Sequence, residues 1–328
     1  MAINTITEAE LGKSTEILRN IQGYYYGRMV GQKQLGMSLL VAIMCNGHIL
    51  LESVPGLAKT TAAKTMTEAV CGSFSRIQCT PDLLPSDIIG SQIFNYSTNS
   101  FDTKIGPVYA NFVLLDEINR SSAKTQSAML EVMQEYQTTI GGEVFKMPEI
   151  FTVIATQNPI EQEGTYLLSE AQSDRFLIKE VITYPSIEEE CMILDRIEAD
   201  VFKPGEGVAT IDDLLFLQDV TKRVYISDAV KRYIVSIVDA TRHLEKVLGP
   251  NVAQYVDLGS STRGAIALMD TSKAVAVMSG RNYVTPDDVR RMLYSVLRHR
   301  ISLNFSAVAD GVAVERIISD IAGAVPTP

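Results

Sequence analysis

The run VLL (113–115) within NFVLLDE and the run TVIA (152–155) within EIFTVIAT lack the polar–apolar alternation of a half-exposed strand. A strand of this kind is stable only where both of its faces are covered, which is the situation inside a parallel sheet flanked by helices. Three further segments read as strands: GHILLE (47–52), SFSRIQC (73–79) and RFLIKEVITY (175–184). Helical patterns fall between them, one beginning at Lys59 and one from Ser122 to about Gln137. Strands alternating with helices predict an α/β fold with a parallel five-stranded sheet. Two segments interrupt the alternation and read as hairpins. SQIFNYSTNSFDTKIG alternates around STNS, and TTIGGEVFKM carries Gly141-Gly142 between β-type residues.

Pro185 marks a change of character. Beyond it, SIEEECMILDRI, SDAVKRYIVSIVDATRHL and STRGAIALMDTSKAVAVMS carry apolar residues at helical spacing, and TPDDVRRMLYSVLRHRI opens with Thr285 as N-cap and Pro286 at the first helical position. The 328 residues, 46% of them hydrophobic, suffice for two domains. The expected division is an α/β core over 1–185 and a small all-helical domain over 186–328.

The stretch LESVPGLAKTT (51–61) joins the first strand to the first helix and resembles the phosphate-binding pattern G-x-x-x-x-G-K-[ST], with Ser53 and Ala58 at two of its glycine positions. Such a loop aims successive backbone N–H groups at phosphate oxygens from a helix N-terminus. Lys59 would reach the β and γ phosphates, and the Thr60 hydroxyl would ligate Mg²⁺. The cradle comprises Ser53, Val54, Pro55, Gly56, Leu57, Ala58, Lys59, Thr60 and Thr61. Glycine is required only where φ is positive or a Cβ would strike the phosphate, so Ser53 and Ala58 are tolerated if their φ is negative. The competing reading is an ordinary turn that contains Lys-Thr.

NFVLLDEINR places Asp116 and Glu117 at the end of a buried strand, the edge where ligands sit in parallel sheets. An Asp there can hold Mg²⁺, and the adjacent Glu can polarise an attacking water. Asn158 ends the next strand, where an amide could orient that water, although Asn-Pro is also a plain turn signal. Arg175 precedes the fifth strand, and Arg263 opens a helix; each could be a surface residue in a structural ion pair.

Taken in order, Lys59 and Thr60, Asp116 and Glu117, Asn158, Arg175 and Arg263 resemble the Walker A, Walker B, sensor 1, arginine-finger and sensor 2 residues of an AAA+ ATPase. The wording of VGQKQ, GHILLESVPGLAKT, GPVYANFVLLDEINR, TQSAMLEVMQE, ATQNPIEQEGTYLLSEAQSDRF and GSSTRGA is similar to the MoxR family, over about residues 16 to 300. Ser53 departs from that family's usual Gly, and Thr262 stands where it usually has Pro. The resemblance implies an AAA+ P-loop core followed by a helical lid, with ATP and Mg²⁺ as cofactors. It further implies that Val30, Gly31 and Gln32 line an adenine pocket and that the hairpins are clade-specific inserts facing a pore or partner. A homo-oligomeric, hexameric ring and chaperone-like remodelling of protein partners follow, including partners with a von Willebrand A domain.

The remaining composition bounds the alternatives. No stretch reaches the length of a membrane span. The polar, acidic opening MAINTITEAELGKS does not read as a secretory signal. Four cysteines without CxxC pairing suit a reducing cytoplasm, and three scattered histidines offer no zinc spacing. A net charge of −10 argues against a nucleic-acid partner and therefore against a DNA motor of the same clade. The dense basic stretch RRMLYSVLRHR, ending at Arg300, reads as a solvated helix face. A metal-chelatase ATPase subunit and a non-hydrolysing, nucleotide-gated module remain as competing readings.

Overall fold

The computed structural model describes residues 6–54, 56–159, 165–199 and 205–328. In chain order its first nine strands are β1 (Ile49–Ser53), β2 (Phe74–Gln78), β3 (Gly90–Asn95), β4 (Ser100–Ile105), β5 (Phe112–Asp116), β6 (Gln137–Ile140), β7 (Glu143–Lys146), β8 (Thr152–Gln157) and β9 (Ile178–Ile182). Five of them form one sheet in the order β2-β5-β8-β1-β9. The pairings β2–β5, β5–β8 and β1–β8 are parallel. The remaining four are the two expected hairpins, β3 with β4 and β6 with β7, both antiparallel.

Burial explains the order. All five residues of β5 are buried, as are the first five of β8, so these apolar strands hold the centre. The helix Lys33–Met44 is buried from Leu35 to Met44, and the helix Lys59–Ala69 contributes Ala62, Ala63 and Met66 to the interior. Small alanines there let the helix lie close to the sheet. The helix Ala123–Glu135 begins where expected because the Ser122 side chain accepts a hydrogen bond from the Thr125 N–H.

After Pro185 the long elements are helices. In Asp228–Arg242 the buried residues Val230, Tyr233, Ile234, Ile237, Val238 and Thr241 recur at helical spacing. They join Leu268, Val275, Met292, Val296, Ile317 and Ile321 among the buried residues of the later helices. Thr285 and Asp288 form the capping box of the helix Pro286–Leu297, and Arg281 clamps Asp288 through both carboxylate oxygens at 2.6 and 2.8 Å. Packing divides the chain into two compact units that interleave along the sequence. One holds Arg19–Leu168 and Glu180–Leu215; the other holds the segment up to Leu18, Ser169–Lys179 and Phe216–Pro328. No helix among the described residues is long and apolar enough to cross a membrane.

His48 shows how the core treats a titratable group. Its Nδ1 accepts from the Val153 N–H at 3.0 Å, so Nε2 carries the proton and donates to the Met133 carbonyl at 2.9 Å. Complete burial holds its pKa down to about 4, from an ordinary 6.5. His299, bonded to the Phe176 carbonyl, is also pushed well below its ordinary value by burial. Because the folded pKa is depressed, the unfolded chain binds more protons between pH 6.5 and about 4, and stability rises with pH across that window. Acidification from pH 6.5 to 5.5 should cost about 1 kcal/mol through His48 alone. Urea unfolding at the two pH values checks this, and His48→Gln should show a smaller loss. An equal loss in the variant would remove His48 from the account.

Candidate nucleotide-binding site

The C-terminal ends of the central strands share one edge of the sheet. Glu52 of β1 lies opposite Gln157 of β8, and Gln78 of β2 lies opposite Asp116 of β5. The candidate phosphate loop leaves this edge from β1. Ser53 is still a strand residue and buried, so its replacement of glycine involves no backbone strain. Gly56 has φ +86, and a Cβ placed on it would meet no atom within 4 Å, which leaves its outer side open to a close ligand. Ala58 corrects the sequence-based expectation. Its φ is +52 and ψ 25, in the left-handed region. The glycine position of the pattern is thus a real conformational demand, met here by alanine at a cost of about 1–2 kcal/mol. Pro55 lies outside the described residues.

Ala58 caps the helix Lys59–Ala69 without a side-chain hydrogen bond, so the first-turn amides receive no acceptor from the cap. Thr60 and Thr61 occupy that turn, and Lys59 Nζ lies 3.5 Å from the Ser53 carbonyl oxygen. Val54 is half-buried and Leu57 buried, which anchors the loop on either side of Gly56. Beside the loop is a cavity of about 490 Å³. Gly56, Leu57, Ala58, Thr60 and Thr61 line it together with Val30 and Gln32, so the structure brings together two sequence segments that were singled out separately. Met29, Ile193 and Ile197 give it apolar walls, while Arg28, Lys64 and Glu68 add charge. Gly31, at φ +73, lies against the Glu189 carboxylate; a Cβ there would sit 2.6 Å from that group.

Asp116 and Glu117 stand at the end of β5. Thr156, on the neighbouring β8, ties them together: its Oγ1 donates to Asp116 Oδ1 at 2.9 Å and accepts from the Glu117 N–H at 2.8 Å. Glu117 turns the chain sharply, with φ +58, into the short turn Ile118–Arg120. A left-handed glutamate is uncommon, and such residues gather at functional sites. From β2, Arg76 donates to Asp116 Oδ2 through Nη2 at 2.6 Å and Nε at 3.2 Å. Gln78 Nε2 donates to Glu117 Oε2 at 3.1 Å, and Arg120 reaches the same oxygen at 3.2 Å. Asn158 follows β8 and is buried. Arg76, Gln78 and Thr156 were not singled out from the sequence. For Arg76 and Gln78 the signal was the alternation in SFSRIQC, where two polar side chains two residues apart face one side of an edge strand; Thr156, inside the apolar β8, carried none.

Arg175 and Arg263 lie in the other compact unit. Arg175 is half-buried, directly before the buried Phe176, and has no ion-pair partner among the described residues. Arg263 sits in the first turn of the helix Thr262–Met278, half exposed, 3.8 Å from Asp174. Asp174 is a node that sequence reading missed. Ser261 Oγ donates to its Oδ2 at 2.8 Å, and Arg300 Nε donates to its Oδ1 at 2.8 Å. Arg300 departs from the solvated-face reading of RRMLYSVLRHR, which holds for the exposed Arg290 and Arg291. Its side chain is 2% exposed, and its guanidinium donates to the carbonyls of Phe176, Leu177 and Val296. Burial pulls its pKa down to about 10, with Asp174 opposing the shift.

The sequence pattern of the ATPase family associated with various cellular activities (AAA) matches residues 48–178, and that of the AAA lid domain matches residues 250–321. The chain is 46% identical over 301 residues to the chaperone MoxR1 of Mycobacterium tuberculosis, covering 92% of this chain and 79% of that protein. It is 41% identical over 319 residues to the uncharacterized protein YeaC of Bacillus subtilis, covering 97% and 95%. A crystal structure of a proposed ATPase from Cytophaga hutchinsonii superposes with a TM-score of 0.92 at 42% identity, covering 98% of each chain. The loop after β1, the acids after β5 and these likenesses over nearly the whole length agree: the chain belongs to the MoxR family of AAA+ ATPases.

Proposed function

We propose that this ATPase is Mg²⁺-dependent, that it assembles as a homo-oligomeric, hexameric ring, and that it uses ATP to remodel protein partners in the cytoplasm. The observation that carries the reading is the meeting, at one sheet edge, of an open glycine loop and the Asp116–Glu117 pair. First-turn amides and Lys59 would hold the phosphates, and the apolar walls at Met29, Val30, Ile193 and Ile197 suit a purine base. The donors at this edge fit Mg²⁺. A threonine hydroxyl and one carboxylate are hard oxygens, and Mg²⁺ in nucleotide sites takes few protein ligands beside phosphate and water. Thr60 and Asp116 would hold it, and the ion would supply charge neutralisation between phosphates.

The residues then divide the work. Glu117, held by Gln78 and Arg120, would accept hydrogen bonding from the attacking water and take its proton. Asn158 would orient that water. Arg175 would point to the nucleotide of a neighbouring subunit, and Arg263 would act on its own. The reading keeps an α/β core to residue 185 and a helical lid from residue 186. Protein partners are favoured by the β3–β4 hairpin, which leaves Ile93, Phe94, Tyr96 and Phe101 exposed, and by the chaperone name of the mycobacterial relative. A protein bearing a von Willebrand A domain is the expected partner class. None of the four cysteines is in a disulfide among the described residues, which suits a reducing compartment.

Glu117→Gln should bind ATP and hydrolyse it about 10²–10⁴-fold more slowly, the usual cost of losing a general base. Near-native turnover in a phosphate-release assay would assign the water to another group. The ring has its own test. Arg175→Ala should bind ATP and turn over about 10³–10⁵-fold more slowly, as for a lost arginine finger. Lys59→Ala should fail through an empty pocket instead. Mixing the two places an intact Arg175 beside an intact Lys59, so activity should partly return. No recovery in oligomers shown by size-exclusion to be mixed would make Arg175 a structural residue.

A further inference from the structure

Both oxygens of Asp116 are engaged by protein. Oδ1 accepts from Thr156, while Oδ2 accepts two hydrogen bonds from one guanidinium, that of Arg76. The two partners of the ion pair differ in their surroundings. The Arg76 side chain is 50% exposed, the Asp116 side chain 12%. Arg76 can therefore swing into water at little desolvation cost, whereas Asp116 cannot follow. The register shows how far Arg76 reaches. Arg76 lies opposite Leu114, and Gln78 lies opposite Asp116, so the guanidinium extends forward along the edge strand to the strand end. On the way Nη2 donates to Gln78 Oε1 at 3.2 Å. One flexible cation thus touches the candidate metal carboxylate and the amide that holds Glu117.

We propose that Arg76 is a built-in counter-cation that competes with Mg²⁺ for Asp116 and sets the Mg²⁺ concentration at which the nucleotide site takes up its metal. The proposal rests on reading this edge as a Mg²⁺–ATP site. Mg²⁺ demands near-octahedral geometry and gives up its waters reluctantly, so an aspartate serving it needs a free lone-pair direction and an unneutralised charge. Arg76 takes up both at Oδ2. A guanidinium and a divalent ion on one carboxylate also repel each other, an effect reduced by solvent at this half-exposed position but not abolished. Metal binding must then either displace Arg76 or tolerate it, and each route raises the Mg²⁺ needed. Displacement would also release Gln78 from its bond to Arg76, linking metal arrival to the support of Glu117.

The test is binding of a fluorescent N-methylanthraniloyl-ADP to the full-length protein across a series of Mg²⁺ concentrations, with a parallel titration in EDTA. Arg76→Gln and Arg76→Met remove the charge with different polarity and guard against a folding defect in either one. Both should move the Mg²⁺ midpoint about two- to fivefold lower, the scale of a partly exposed ion pair, and leave affinity in EDTA unchanged. Arg76→Lys, which keeps the charge without the fork, should fall between these variants and the native protein. An unchanged or raised midpoint overturns the proposal. So does an equal loss of affinity with and without Mg²⁺, which marks Arg76 as a structural pin between β2 and β5. If the native protein binds no nucleotide at any Mg²⁺ concentration, the nucleotide reading fails and this proposal with it; binding with an unmoved midpoint removes Arg76 alone.

Discussion

Burial on both faces of β5 and β8 is the constraint on which the site depends. A strand with no face open to water can place charge only at its ends, and β5 carries none before Asp116. Asp116 is therefore held at the boundary between a dry sheet and the loop region, its position fixed by parallel pairing on both sides. The same constraint sets the loop after β1, because β1 pairs with β8 and must end at the same edge. A sheet built this way brings the loop after β1 and a pair of acids together with no long-range polar contact needed to assemble them.

Charge at that edge is balanced locally. Thr156 serves a carboxylate and a backbone amide with one hydroxyl, which keeps Asp116 and Glu117 in fixed relation. Two arginines and a glutamine supply the remaining donors. In the other compact unit Asp174 plays a comparable role, gathering Ser261, Arg263 and Arg300 around one carboxylate beside Arg175. Breaking a buried pair of this kind by removing one partner typically costs about 3–5 kcal/mol, which makes Asp174 a structural as well as a positional requirement.

Much of this was legible in the sequence because apolar periodicity is a local signal. All five sheet strands, both hairpins, the helix start at Ser122 and the cap at Thr285 follow from runs, alternation and turn chemistry within a few residues. The conformation of Ala58 was not legible. An alanine side chain favours negative φ, and the path from strand to helix that overrides this preference cannot be read from the residue itself. Arg300 was misread for a related reason. A basic run at a helix end looks solvated unless the acid that draws one member inward is known, and Asp174 is 126 residues away in the chain. The alternation in SFSRIQC sets Arg76 and Gln78 on one face, but which acids they and Thr156 meet depends on cross-strand register, which no single strand reveals.

The central claim is that a loop with serine and alanine at two glycine positions still holds nucleotide phosphates through Lys59 and the helix amides. Isothermal titration of the native protein and of Lys59→Ala with ATP and Mg²⁺ tests it most directly. The account predicts saturable binding by the native protein and its loss in Lys59→Ala, because the phosphate charge loses its partner. No binding by the native protein at about millimolar nucleotide, where an affinity weaker than about 4 kcal/mol would escape notice, or undiminished binding by Lys59→Ala, would contradict it.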